Sequence, residues 1–378
     1  MRAATLTDFE LTRPRHEVPQ LETLSWIASA HAEAEATTHG LDAVERDELA
    51  ARLRAVLGRC APGPDRIASR GCSLDEMVRP RWDDGALFDL RRRAQGAGIG
   101  ARTRVFAELA GAHLEETYAA VEDAPEDLIH VTCTGYASPS AAQRLVARRR
   151  WPTRVTHAYH MGCYASMPAL RIADGLVQAC ARAPSRVDIV HTELCSLHLD
   201  PTDHRLEQLV IQSLFADGMI RYSLTSATEA RGLRLLAMHE VIVPGSEASM
   251  SWIVGDHGMV MTLARDVPER IGGALRGFVD ELYGRAGRGA ADVARSVLAI
   301  HPGGPRIIDQ ICAVLELREP QVAASRGVLR DFGNMSSATL PHVWMRVIAD
   351  DGVPRGSLVG SLAFGPGLTM CGALFEKV

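Results

Sequence analysis

A chain of 378 residues exceeds what one hydrophobic core usually serves, so two packed halves are expected. With 47% hydrophobic and 23% charged residues it reads as a globular enzyme, and a net charge of −5 argues against a general nucleic-acid binder. No run approaches 18 apolar residues and Met1–Asp8 has no apolar leader core, so no membrane span and no secretion signal are expected, and a cytoplasmic location follows.

Residues 20–58 read as helical, with Leu21, Leu24, Ile27, Ala28 and His31 starting an apolar face and Ala61-Pro62-Gly63-Pro64 stopping the run. Residues 102–121 read as an amphipathic helix with Val105, Leu109, Ala112, Leu114 and Tyr118 on its apolar side. Leu128–Thr132 and Val187–His191 are short apolar runs of the kind buried strands show. Between them, a helical pattern follows Cys163 to about Ala181. Gly232–Val243 and Gly258–Leu263 read as strands, Arg270–Gly284 as a helix and Ser296–Ile300 as a strand. The alternation predicts an α/β protein.

Eight cysteines are scattered without CxxC pairs or zinc-type His spacing, so neither a disulfide framework nor a metal site is expected. Cys60, Cys72, Cys180 and Cys312 are expected to be buried structural thiols. Cys163, in Tyr159-His160-Met161-Gly162-Cys163-Tyr164-Ala165-Ser166, precedes a helix, where unpaired N–H groups and the helix dipole favour thiolate. His301 follows a strand in Ala299-Ile300-His301-Pro302-Gly303-Gly304-Pro305, and Asn334 lies in Phe332-Gly333-Asn334-Met335-Ser336-Ser337-Ala338. A Cys, a His and an Asn, each at the end of a regular element, suit acyl transfer through a thioester. Asn334 is also a candidate helix cap.

With Leu214-Phe215-Ala216-Asp217-Gly218 and Phe364-Gly365-Pro366-Gly367-Leu368-Thr369, these motifs resemble the type III polyketide synthases, the chalcone synthase-like branch of the thiolase-fold ketosynthases. The resemblance implies a five-layered αβαβα thiolase fold with two similar halves, residues 1–225 carrying the nucleophile and 226–378 carrying His and Asn. It implies a homodimer with no bound cofactor, fed by phosphopantetheine thioesters on coenzyme A or an acyl carrier protein. Cys163 becomes the nucleophile, and His301 and Asn334 the donors to an enolate oxyanion. Phe215 matches one gatekeeper and Met261 stands where the second phenylalanine would be. Ser138 replaces a methionine that reaches the partner's cavity, and Cys195 and His198 fall at threonine positions of the cavity wall. These departures imply a roomier pocket than in the plant enzymes. Gly303 and Gly304 would let backbone approach the pantetheine arm. Phe364, Gly365 and Pro366 would form the cavity floor.

Arg52 and Arg59 roughly match basic coenzyme A contacts, and Arg79, Arg81 and Arg91–Arg93 form a second basic run, either a solvated face or a carrier docking surface. The reading taken is head-to-head joining of two carrier-bound β-ketoacyl chains with release of an α-pyrone, as in myxopyronin- and corallopyronin-type antibiotic pathways. The alternative is iterative condensation of an acyl-coenzyme A starter with malonyl-coenzyme A to a pyrone or resorcinol. A fatty-acid initiation ketosynthase is disfavoured by His-Pro-Gly-Gly-Pro, and an inactive paralogue by the intact Cys–His–Asn set.

Overall fold

A computed structural model describes residues 3–181 and 184–378. The chain begins with strands β1 (Thr5–Thr12) and β2 (His16–Pro19), helices α1 (Gln20–His39) and α2 (Ala43–Cys60), strand β3 (Ser69–Cys72) and helix α3 (Ile99–Thr117). Next come β4 (Asp127–Thr132), α4 (Ala141–Arg149), β5 (Arg154–Tyr159), α5 (Ser166–Ala179), β6 (Arg186–Leu194), α6 (Leu206–Leu214) and β7 (Asp217–Thr225). The remainder is β8 (Leu233–Ile242), β9 (Met250–Val254), β10 (Met259–Leu263), α7 (Val267–Gly284), α8 (Ala290–Val293), β11 (Val297–Ile300), α9 (Pro305–Leu315), α10 (Glu319–Phe332), α11 (Thr339–Ala349), β12 (Leu358–Gly365) and β13 (Thr369–Lys377).

Nine strands pair in the order β11-β12-β13-β8-β1-β7-β6-β4-β5, and β1 bonds antiparallel to both β7 and β8. β4 runs parallel to β5 and β6, and every residue of β4 is buried, as expected of a parallel strand covered on both faces. Helix α5 touches β4, β6 and β7 and also β13, whereas α11 touches β11 and also β7. These two helices share one core, with Leu170, Val177, Val343 and Trp344 inside it, so they form a layer common to both halves. A second core gathers Trp26, Leu57, Phe106 and Leu114 of α1–α3, and a third gathers Leu275, Phe278, Ile308 and Ile311 of α7 and α9. Outer helices, strands, central helices, strands and outer helices give the five layers.

Two predicted elements differ. The 20–58 run is broken at Gly40, which takes a left-handed conformation at φ 71° and ends α1. Asp42 then starts α2 with a capping box to Glu45. Leu21 is 62% exposed, so it is off the buried face, which runs through Gln20, Thr23, Leu24 and Ile27. Helix α3 is rotated from its expected face, burying Arg102, Phe106, Ala110, His113 and Leu114 and exposing Ala112. Arg102 and His113 mislead hydrophobic periodicity because they are buried polar side chains; the Arg102 guanidinium donates to Ala97 O, Leu197 O and Gln95 O. Among the described residues no helix is long and apolar enough to cross a membrane.

Candidate active site

Cys163 lies in the turn between β5 and α5, where Ala165 N–H donates to Gly162 O at 3.1 Å and Met167 N–H to Tyr164 O at 2.9 Å. It thus precedes the helix by a turn, and the thiol itself is enclosed. Burial dominates its chemistry and pushes its pKa up to about 12. The Glu193 carboxylate raises it further, while the Ser336 hydroxyl and the Asn334 amide pull it down. Burial thus works against the thiolate that the helix end would favour. The Sγ points to Ser336 Oγ at 3.9 Å.

His301 leaves the end of β11 with its N–H donating to Leu362 O at 2.8 Å, which pins its backbone to β12. The residue is 2% exposed, neither ring nitrogen has a hydrogen-bond partner, and burial lowers the pKa to about 3. His301 is thus a neutral imidazole. Asn334 precedes α11 and holds its own turn: Oδ1 accepts from Ser336 N–H at 3.0 Å and from Thr339 Oγ1 at 3.3 Å. Its Nδ2 donates to Gly303 O at 3.2 Å, while Gly303 N–H donates to His301 O at 3.0 Å, so one glycine links the His and Asn loops.

Two cavities meet beside Cys163. The one the thiol lines holds only about 20 Å³, on the order of one water. The other is a chamber of about 290 Å³, and Cys195, Phe215, Trp252 and Met261 belong to the walls of both. The space next to the thiol is small in the single chain; Trp252, held by Nε1 donation to Cys133 O at 2.7 Å, lines it, and the larger space lies on the other side of the shared wall. His198 lines the chamber with both nitrogens engaged, Nε2 to Thr134 O at 2.7 Å and Nδ1 accepting from Met259 N–H at 3.2 Å. Pro366 lines the small cavity. Gly365 is required by contact, since a Cβ there would lie 2.0 Å from Tyr164 Cδ1. Phe364 is buried in the outer core of the second half instead of the cavity floor.

Ser138, expected to face the partner's cavity, is exposed on the loop before Pro139 and lines neither cavity of its own chain. A Cβ on Gly303 or Gly304 would meet ordinary contacts at 3.6 Å or more, so neither position needs glycine for space. Arg52 and Arg59 are exposed on α2 and line neither cavity; Arg52 pairs with Glu48 at 3.6 Å. In the second basic run Arg81 pairs with Asp84, Arg91 with Glu33 and Asp83, and Arg93 with Asp89, so local carboxylates neutralise most of it. Of the four thiols expected to be buried, Cys72 is, whereas Cys60, Cys180 and Cys312 are partly exposed.

The sequence reading missed Cys133, Glu193 and Ser336. Ser336 Oγ meets Cys133 Sγ at 2.9 Å, and Glu193 accepts from Cys133 N–H at 3.1 Å, Thr134 Oγ1 at 2.9 Å and Ser337 Oγ. A signal existed: Glu193 is one of two acids, with Asp188, in the strand β6, and a buried charge there is costly without partners.

Models of the N-terminal and C-terminal domains of chalcone and stilbene synthases match residues 104–224 and 234–378. The chain is 31% identical over 247 residues to 1,3,6,8-tetrahydroxynaphthalene synthase of Streptomyces coelicolor, 64% of each protein. It is 28% identical over 274 residues to type III polyketide synthase C of Arabidopsis thaliana, 70% of each. In fold it is similar to a polyketide synthase from the brown alga Ectocarpus siliculosus, with a TM-score of 0.84 and 23% identity over 100% of this chain and 99% of that one. The two matched halves, in their order and on this fold, make the chain a member of the chalcone and stilbene synthase family, the type III polyketide synthases, condensing enzymes of the thiolase fold.

Proposed function

We propose that the enzyme holds one acyl chain on Cys163 and joins it to the α-carbon of a second thioester, the two chains being β-ketoacyl groups that leave as an α-pyrone. The observation that carries the acid–base part is His301, a buried neutral imidazole whose two nitrogens have no protein partner. Such a ring can accept a proton at one nitrogen while donating at the other. In the first step Sγ attacks the incoming thioester carbonyl as its proton is relayed through His301 to the departing pantetheine thiolate, so that no free thiolate–imidazolium pair need form. His301 then takes an α-proton from the second thioester, and the imidazolium, which returns that proton to the Cys163 thiolate when it leaves, and Asn334 Nδ2 receive the oxygen of the enolate. Its α-carbon attacks the Cys163 thioester, the new C–C bond forms and the Cys163 thiolate leaves. An enol oxygen of the joined chain closes on the remaining thioester carbonyl and expels its thiol.

The chamber beside the small cavity supports lodging of a second chain. The reading includes a homodimer and delivery on coenzyme A or a carrier, with Arg52 and Arg59 on the exposed face of α2 as candidate phosphate contacts. A second reading is favoured by the relative whose name is tetrahydroxynaphthalene synthase: iterative condensation with malonyl-coenzyme A, in which loss of carbon dioxide generates the enolate.

Mass spectrometry of protein and products separates the two. Two β-ketoacyl thioesters without malonyl should give a pyrone and an acylated Cys163. Carbon dioxide release and product formation only with malonyl-coenzyme A would replace chain joining by the iterative reaction. Acylation surviving in Cys163→Ala would remove the nucleophile assignment from both.

A further inference from the structure

Behind the nucleophile, a buried hydrogen-bond chain ends on Glu193. Ser337, in the loop before α11, donates through Oγ to Glu193 Oε1. His191 lies two residues before Glu193 on β6, so both side chains leave the same face of the strand. Its Nδ1 meets Ser337 Oγ at 2.9 Å and its Nε2 meets Tyr222 Oη of β7 at 3.0 Å. Tyr222 is fixed in turn by Phe9 and Trp344, with ring centroids 5.1 Å and 5.8 Å away. Glu193, Ser337, His191 and Tyr222 are all fully buried. On its other side Glu193 Oε2 accepts from Cys133 N–H at 3.1 Å and Thr134 Oγ1 at 2.9 Å, and those two residues line the small cavity at the thiol.

The proton positions follow from counting donors and acceptors. A carboxylate only accepts, so the Ser337 hydroxyl proton points to Glu193 and the Ser337 oxygen receives Nδ1–H of His191. Nε2 of that neutral ring is then an acceptor and takes the Tyr222 hydroxyl proton. A protonated Glu193 would reverse every bond, with Ser337 donating to Nδ1 and Nε2–H donating to Tyr222. The Tyr222 proton would then have no acceptor, because among the described residues His191 is the hydrogen-bond partner of its hydroxyl. A buried donor left unmade is costly, so the chain runs toward the carboxylate. Burial raises the Glu193 pKa, and the Ser337 hydroxyl is the first of the groups that pull it back down. Burial, with His342 and His130 adding to it, holds His191 well below the ordinary histidine range and keeps the ring neutral. The other titratable groups that feel the Glu193 charge are Cys133, Cys163, Cys195 and Tyr136, each raised by it.

We propose that Tyr222, His191 and Ser337 form a one-way hydrogen-bond chain that fixes Glu193 as a carboxylate beside Cys163, which makes His191 and Tyr222 positioning residues for a nucleophile they do not touch. Neither lines the small cavity or the chamber. The proposal rests on Cys163 being the nucleophile. The charge that the chain secures keeps Cys163 a thiol until an acyl thioester arrives, and strengthens its hold on the proton returned when it leaves.

The test is Cys163 alkylation by iodoacetamide across pH 6–9 in the full-length protein, read by site-resolved peptide mass spectrometry. His191→Leu removes both links and lets Glu193 take up a proton, so alkylation at pH 6 should accelerate at least about threefold. The factor should shrink as pH rises, because Glu193 ionises at high pH with or without the chain. Placed on Glu193→Gln, the same substitution should leave the rate unchanged, whereas a merely structural loosening would speed both backgrounds at every pH. His191→Asn, whose amide N–H can donate from close to the place of Nδ1, should return the rate toward that of the parent. Should His191→Leu fail to fold, Tyr222→Phe deletes a single oxygen, and should accelerate alkylation in the parent and not in Glu193→Gln. Unchanged rates in the folded variants, or equal acceleration in both backgrounds, overturn the proposal. No thioester is present, so this result stands apart from the acylation and product assays that test the condensation reading.

Discussion

Phe215 and Asn334 are joined by a parallel backbone bridge: Asn334 N–H donates to Leu214 O and Ala216 N–H to Asn334 O, both at 2.9 Å. The gate position and the enolate donor therefore move as one piece. Next to the bridge, Gly333 has φ 72° and ψ −161°, a conformation reserved for glycine. Its missing Cβ would lie 3.1 Å from Leu214 O and 3.0 Å from Arg70 Cγ. Gly333→Ala should cost roughly 1–3 kcal/mol in urea unfolding and lower condensation more than Cys163 acylation. Equal stability to the parent would show that the bridge adapts without strain.

Gly365→Ala should displace the Tyr164 ring and with it the turn of Cys163. Overpacking of this kind costs about 1–3 kcal/mol, read as a lower melting temperature and slower acylation. Tyr164→Ala in the same chain should recover part of the lost acylation rate, and absence of any recovery would assign the loss to something other than the clash.

The raised Cys163 pKa and lowered His301 pKa predict how the ligand-free enzyme reacts with iodoacetamide. A thiol titrating at about 12 is protonated throughout pH 6–9, so its thiolate fraction rises tenfold with each pH unit. Site-resolved peptide mass spectrometry should show the Cys163 alkylation rate climbing across that range. A plateau beginning below pH 7 would instead reveal a preformed thiolate–imidazolium pair.

Glu193→Gln removes the carboxylate charge that raises the Cys163 pKa, so at fixed pH alkylation should accelerate severalfold. The amide also turns a donor toward groups that donate to Glu193, at a cost of roughly 1–3 kcal/mol. A slower reaction in a folded variant would mean that the hydrogen-bond network outweighs the charge.

Met261 lines both cavities and its carbonyl is held by Gln208 Nε2 at 2.7 Å. Met261→Phe replaces a pliable chain by a rigid ring and should reduce kcat/KM for long acyl thioesters at least tenfold more than for short ones. An equal loss on both would make Met261 a core residue without a gating role.

The sequence by itself determined the α/β class and the candidate site motifs, because periodicity and turns are local, and the family and its five-layered architecture followed from the resemblance those motifs carry. His-Pro-Gly-Gly-Pro and Gly-Asn-Met-Ser-Ser-Ala stand at element ends that any reader of strand and helix punctuation can place. Only the tertiary structure decided the surroundings of the thiol, since it is packed away from water and brought beside Glu193 of β6 and beside Asn334 and Ser336 of the loop before α11. It also decided where space lies. Met261 was read as a gate, and the structure puts it with Trp252 of β9 on the walls of both the small space at the thiol and the larger chamber. His191 was illegible in the sequence, because nothing local distinguishes a histidine bonded to Ser337 and Tyr222 from one that only fills a core. Burial and partnership are properties of segments brought together by packing, and a linear reading has no access to them.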